Sequence, residues 1–149
     1  MSRIATILIV DDSRMDIELT LDAFREAKLS TRIEVAENGR KALDYLFGVG
    51  HYADRDRFPL PDLILLDLKM PGIDGFEVLR QIKEAPLVKR IPTVILTSSR
   101  EEGDRVFSYD SGANSYLVKP VSFAGFVEVV REIANYWLTL NAGPPLTAP

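Results

Sequence analysis

The chain has 149 residues with no cysteine and one histidine, a formal net charge of -4 and 46% hydrophobic residues. That length suits one compact domain with a sizeable core, and the lack of cysteine excludes a disulfide framework, a thiol nucleophile and a thiolate metal site. The 18 lysines and arginines are scattered, which disfavours direct nucleic-acid binding and favours a protein partner.

In chain order, runs rich in Ile, Val and Leu at 6–10, 33–36, 63–68, 93–97 and 116–118 read as strands. Between and after them, segments of helical periodicity fall near 14–28, 39–48, 75–85, 101–110 and 122–140. The alternation predicts βαβ units and a parallel sheet. "TILIV", "DLILL" and "TVILT" are continuous rather than alternating, as in central strands covered on both faces. Ser13 and Asp16 are expected to form a capping box at the first helix. The segment 48–61, "GVGHYADRDRFPLP", reads as a long surface loop, with His51 as a surface residue of no assigned role. Residues 141–149, "NAGPPLTAP", stop the last helix and read as a tail after a domain of residues 1–140. The N-terminus "MSRIATILIVDDS" lacks a signal peptide's long apolar region, and no run approaches the ~20 apolar residues of a membrane span. A cytoplasmic protein with no membrane contact is expected.

Ligands of open α/β sheets gather beyond the carboxyl ends of the strands. Asp11 and Asp12 follow "ILIV", Asp67 closes "LILL", Thr97 closes "VIL" and Lys119 closes "YLV". Singly, each has a bland explanation as a cap, a turn or a strand end. Jointly, they put five functional groups from four strands on one rim. Crowded carboxylates persist at neutral pH only beside a cation, and an acid set without His or Cys ligands suits Mg²⁺. The Lys119 ammonium and Thr97 hydroxyl would then face phosphate oxygens. Asp67 is placed to receive a phosphoryl group as an aspartyl phosphate.

"ILIVDDS", "LILLDLKMPGIDGFEVL", "VILTSS" and "SGANSYLVKP" together resemble the receiver domain of bacterial two-component response regulators, over roughly residues 5–137. The resemblance implies a flavodoxin-like fold of five parallel strands in the order 2-1-3-4-5. It implies that Asp67 accepts a phosphoryl group from a histidine kinase. Asp12 would bind Mg²⁺ directly, Asp11 through water, and the Lys69 carbonyl would add a ligand. Thr97 and Lys119 would bind phosphoryl oxygens, Tyr116 would be the switch aromatic, and Pro120 would follow a cis peptide bond.

The loop "FGVGHYADRDRFPLPDL" and the ending "IANYWLTL" before a Pro-rich tail resemble the stand-alone response regulators of bacterial phytochrome kinases, which form dimers. That resemblance implies output through protein contacts, with no output domain. Independently, the apolar residues of the last helix span roughly 200° of its surface, more than one sheet can hide. The surplus flank, with Phe126, Val129, Tyr136, Trp137 and Leu140, is expected to pair with a second copy, the tail reaching over the partner. The alternative is a tail folded back over its own flank. Lys69 and Ser99, each two positions past a site residue, are expected at the site's entrance.

Other function classes fit less well. Haloacid-dehalogenase-type phosphatases would carry an acid where Lys69 stands, and no G-x-x-x-x-G-K-[ST] loop follows the first strand. A phosphorylation-independent dimeric scaffold and a phosphate sink stay open as alternatives.

Overall fold

A computed structural model describes residues 4–147. Five strands, β1 (Ala5–Val10), β2 (Thr31–Ala36), β3 (Leu63–Leu66), β4 (Thr93–Thr97) and β5 (Ser115–Val118), form one sheet in the order β2-β1-β3-β4-β5. Every neighbouring pair is parallel, which is the flavodoxin-like arrangement expected from the motifs. The helices α1 (Arg14–Glu26), α2 (Gly39–Phe47), α3 (Gly75–Glu84), α4 (Glu102–Asp110) and α5 (Phe123–Ala134) alternate with the strands.

Successive side chains of a strand point to opposite faces, so the continuous apolar runs supply two cores at once. Leu8 and Val10 of β1 with Ile64 and Leu66 of β3 pack against Leu43, Leu46, Leu79 and Ile82 of α2 and α3. Ile7, Ile9, Leu63 and Leu65 face the other way, against Phe24 of α1 and Phe126, Val130 and Ile133 of α5. The outer strands β2 and β5 are mostly half-buried, as edges are. Among the described residues, no helix is long and apolar enough to cross a membrane.

The single helix expected over 122–140 is interrupted. α5 ends at Ala134, and Asn135–Leu140 continue as a π-helix. Trp137 and Leu138 pack against the core, while Tyr136 (50% exposed) and Leu140 (67%) point away. The expected pairing flank is corrected accordingly. Phe126 is 3% exposed and belongs to the chain's own core, so it leaves the flank, while Val129 and Trp137 are half-buried, packing against that core with part of each still exposed.

The tail, described as far as residue 147, folds back over its own chain: Leu146 packs against the core and the Pro145 carbonyl accepts from Arg90 at 3.1 Å. The 48–61 segment is organised rather than a bare loop. It holds a 3-10 turn, Gly50–Ala53, and lays Tyr52 and Phe58 against Tyr45 with ring centroids 5.2 and 6.0 Å apart. His51 is exposed and stacks on Tyr52 at 4.0 Å.

Candidate functional site

The strand order reverses between β1 and β3, and the acidic residues stand at their carboxyl ends. The Asp67 amide continues the ladder by donating to the Val10 carbonyl at 3.0 Å, and the Lys119 amide donates to the Thr97 carbonyl at 2.7 Å. The sheet itself therefore fixes these positions. Asp11 is 4% exposed and Asp67 7%, whereas Asp12 faces solvent. Carboxylate oxygens of Asp11, Asp12 and Asp67 all lie within 4.8 Å of one another. Three hard oxygen donors with one side open to water fit a divalent cation of the Mg²⁺ or Mn²⁺ kind.

Lys119 reaches into the same group. Its Nζ lies 2.8 Å from Asp11 Oδ2, 2.7 Å from Asp16 Oδ2 and 3.0 Å from Asp67 Oδ2. Burial works against the ammonium, but its bonds to Asp11 and Asp16 and the charge of Asp67 outweigh burial and hold it above a lysine's ordinary range. Burial pushes the Asp11 carboxyl above the usual carboxylate range, partly offset by Lys119 and the Ser13 amide. The second oxygens are also engaged: Ser13 N donates to Asp11 Oδ1 at 2.9 Å, and Leu68 N donates to Asp67 Oδ1 at 2.7 Å.

The expected capping box is therefore only half made. Ser13 Oγ accepts from the Asp16 amide at 3.2 Å, but the Ser13 amide turns to Asp11 and the Asp16 carboxylate turns to Lys119. A cap competes poorly with a buried ammonium for a charged oxygen. Asp16 is thus a site residue whose role the sequence hid behind its capping position.

Lys69 is exposed and its ammonium lies 3.2 Å from Asp104 Oδ2; the Ser99 hydroxyl donates to the same oxygen at 2.6 Å. Asp104 on α4 thereby joins the two residues expected at the entrance, a link that sequence spacing did not show. The bond to Asp104 raises the Lys69 ammonium above its ordinary value, and the Ser99 hydroxyl holds the Asp104 carboxyl below its own.

Thr97 is buried, its hydroxyl accepting from the Ser99 amide at 3.3 Å. The half-buried Tyr116 packs against the core and donates from its hydroxyl to the Ser99 carbonyl at 3.0 Å. Tyr116 already engages the β4–α4 loop in this structure. The expected cis bond before Pro120 is not found: the described peptide bonds are all trans. Trans is the intrinsic preference of X-Pro bonds by about 0.5–1 kcal/mol, and with it Lys119 reaches all three carboxylates. The loop carrying the Lys69 carbonyl runs back to α3, where the Gly75 amide donates to the Leu68 carbonyl at 2.9 Å. A Cβ on Gly75 would stand 2.1 Å from the Asp67 carbonyl oxygen, so only glycine lets α3 approach this closely.

Comparison with known proteins agrees with this geometry. The response regulator receiver domain model matches residues 7–131. The probable methanogenesis regulatory protein FilR2 of Methanothrix harundinacea is 40% identical over 138 residues, covering 93% of this chain and 86% of that protein. Response regulator Rcp1 of Synechocystis sp. is 37% identical over 132 residues, covering 89% and 88%. Its Mn²⁺-bound crystal structure is similar with a TM-score of 0.84 at 35% identity, covering 95% of this chain and 99% of that one. The phosphorylated cyanobacterial phytochrome response regulator RcpA gives a TM-score of 0.89 at 36% identity, covering 96% and 100%. The chain belongs to the receiver-domain family of two-component response regulators.

Proposed function

We propose that Asp67 accepts a phosphoryl group from a sensor histidine kinase of the phytochrome type, with Mg²⁺ held by Asp11, Asp12, Asp67 and the Lys69 carbonyl. The observation that carries this reading is the convergence of Lys119 and the three-acid cluster on Asp67. In it, an Asp67 carboxylate oxygen bonds to phosphorus as the bond from phosphorus to the kinase's histidine nitrogen breaks, its electron pair returning to that nitrogen. The divalent ion supplies charge neutralisation for the phosphoryl oxygens. Lys119 and the Thr97 hydroxyl bind those oxygens, and drawing Thr97 inward changes what the Ser99 carbonyl and Tyr116 can bond. The chemistry is confined to the protein's own Asp67, in a cytoplasmic signalling protein.

The phytochrome pairing is supported by likeness to Rcp1 and RcpA across nearly the whole chain. Output runs through protein contacts of a receiver spanning 1–140, including a homodimer seated on the exposed Tyr136 and Leu140. Sedimentation velocity checks the dimer: Leu140→Glu should shift the protein to the monomer, and an unchanged sedimentation coefficient would remove Leu140 from the interface.

The deciding experiment is intact mass after incubation with Mg²⁺ and acetyl phosphate. One phosphoryl group should be gained, and lost in Asp67→Asn and without metal. No adduct from this donor or from a phytochrome kinase would leave a phosphorylation-independent scaffold as the account.

A further inference from the structure

The Lys119 ammonium has three N–H donors, and all three are committed to carboxylates: Asp11, Asp16 and Asp67, at 2.7–3.0 Å. Two of those acids belong to the candidate cation cluster as well. Asp11 and Asp67 share that cluster with Asp12, whereas Asp16 stands outside it. A divalent ion and an ammonium drawn to the same oxygens repel each other. Cation binding therefore weakens two of the three bonds that hold Lys119.

The third bond is built to survive. Asp16 sits in the first turn of α1, with its amide bonded to Ser13 Oγ at 3.2 Å and its carbonyl accepting from Thr20 Oγ1 at 2.8 Å. Its backbone is held by the first turn of the helix, so its carboxylate remains within reach of Lys119 when Asp11 and Asp67 change partners.

We propose, resting on the reading of Asp67 as phosphoacceptor, that Asp16 is a positioning residue: it retains the Lys119 ammonium at the site when Asp11 and Asp67 turn to the divalent cation. The two N–H donors released in that exchange become available to phosphoryl oxygens, while the bond to Asp16 keeps the lysine stem from swinging into solvent. A flexible lysine stem loses rotamer freedom on being fixed, which is a reason for a dedicated anchor. Asp16 thus lets one lysine serve both as counter-ion to the acids and, when a cation takes Asp11 and Asp67, as a donor to phosphoryl oxygens.

A different role is open to Asp16, as one more negative charge near the cation. A double-mutant cycle separates the two. Mn²⁺ binding without any phosphodonor is measured by calorimetry for the unaltered protein, Asp16→Asn, Lys119→Met and the double variant, each first shown to unfold cooperatively in urea. If Asp16 acts through Lys119, Asp16→Asn weakens Mn²⁺ binding about five- to tenfold, and at most about twofold in the Lys119→Met background. Asp16→Glu should recover part of the loss. An equal or larger effect of Asp16→Asn without Lys119 overturns the proposal and leaves Asp16 as a simple charge. Loss of phosphorylation in Asp67→Asn tests the underlying reading separately, since the cation titration involves no phosphoryl group.

Discussion

Asp104 is a single carboxylate that ties three segments together. Its Oδ2 takes the Ser99 hydroxyl of the β4–α4 loop and the Lys69 ammonium of the β3–α3 loop, from a position in the first turn of α4. Each partner stands two positions after a site residue, Lys69 after Asp67 and Ser99 after Thr97, so the link restrains the two loops that carry them. Isolated exposed pairs are worth about 0.2–1 kcal/mol, and this one is shielded on the Asp104 side, so cutting it should release about two- to fivefold in rate. Asp104→Ala is therefore expected to speed loss of the phosphoryl group from Asp67 by that factor after donor removal, measured by intact mass over time. The difference should shrink in high salt, because the Lys69 partner is open to solvent. Asp11, Asp12, Asp67, Thr97 and Lys119 were legible in the sequence because a charged or hydroxyl group closing an apolar strand run is costly without a function. Asp16 and Asp104 were not, since an acid in a helix's first turn has an ordinary explanation in the helix dipole. Only their distances to Lys119 and Lys69 separate them from that background.

The connections between elements carry two opposed alkaline titrations. Lys83 of α3 holds the turn before β4 and the α4–β5 connection, donating to the Ile91 carbonyl at 3.2 Å and to Asn114 Oδ1 at 3.4 Å. Burial pulls its ammonium down to about 8. The folded value lies below the unfolded one near 10.5, so its contribution is fully present above 10.5 and is lost as pH falls through 8. Tyr45 of α2 is buried under the 48–61 segment and donates to the Pro59 carbonyl at 2.8 Å. Burial pushes its phenol up to about 12, so its contribution is fully present below 10 and is lost as pH rises through 12. Together they predict stability that climbs from pH 8 to about 10 and falls beyond it, read by urea unfolding across pH 7–12. Lys83→Met should flatten the climb and Tyr45→Phe the fall. The strands behind these contacts were legible because five apolar runs alternating with helical segments, three of them continuous, admit few arrangements. The π-helical segment after α5 was not, since nothing in the run Asn135–Leu140 marks a change of pitch, and an apolar arc of about 200° does not say that Phe126 belongs to the chain's own core rather than to a surplus flank.

At the scale of the whole molecule, the site is held against its own repulsion. Three carboxylates, Asp11, Asp16 and Asp67, bond one ammonium, and a fourth, Asp12, adjoins Asp11 and Asp67, in a chain of net charge -4. The burial that places Asp11 and Asp67 under the rim adds desolvation to that repulsion. Such crowding costs stability in exchange for a site ready to bind a cation and a phosphoryl group. A divalent ion that binds only the folded state returns that stability by mass action, about 2.7 kcal/mol at a hundred times its Kd. For a domain of this length that is a Tm rise of roughly 5–10 °C. Adding Mg²⁺ should therefore raise Tm by that amount in differential scanning calorimetry, and chelation should reverse it. Asp67→Asn removes one charge from the crowd and should unfold at a higher temperature than the unaltered protein without metal, while gaining less from Mg²⁺. Sodium chloride at matched ionic strength screens charge but offers no ligand geometry, so it should give only a small part of the shift. If sodium chloride reproduced the whole shift, or Asp67→Asn unfolded earlier without metal, the carboxylates would be a screened surface cluster rather than a strained cation site. That outcome would also remove the competition between cation and ammonium on which the role of Asp16 depends.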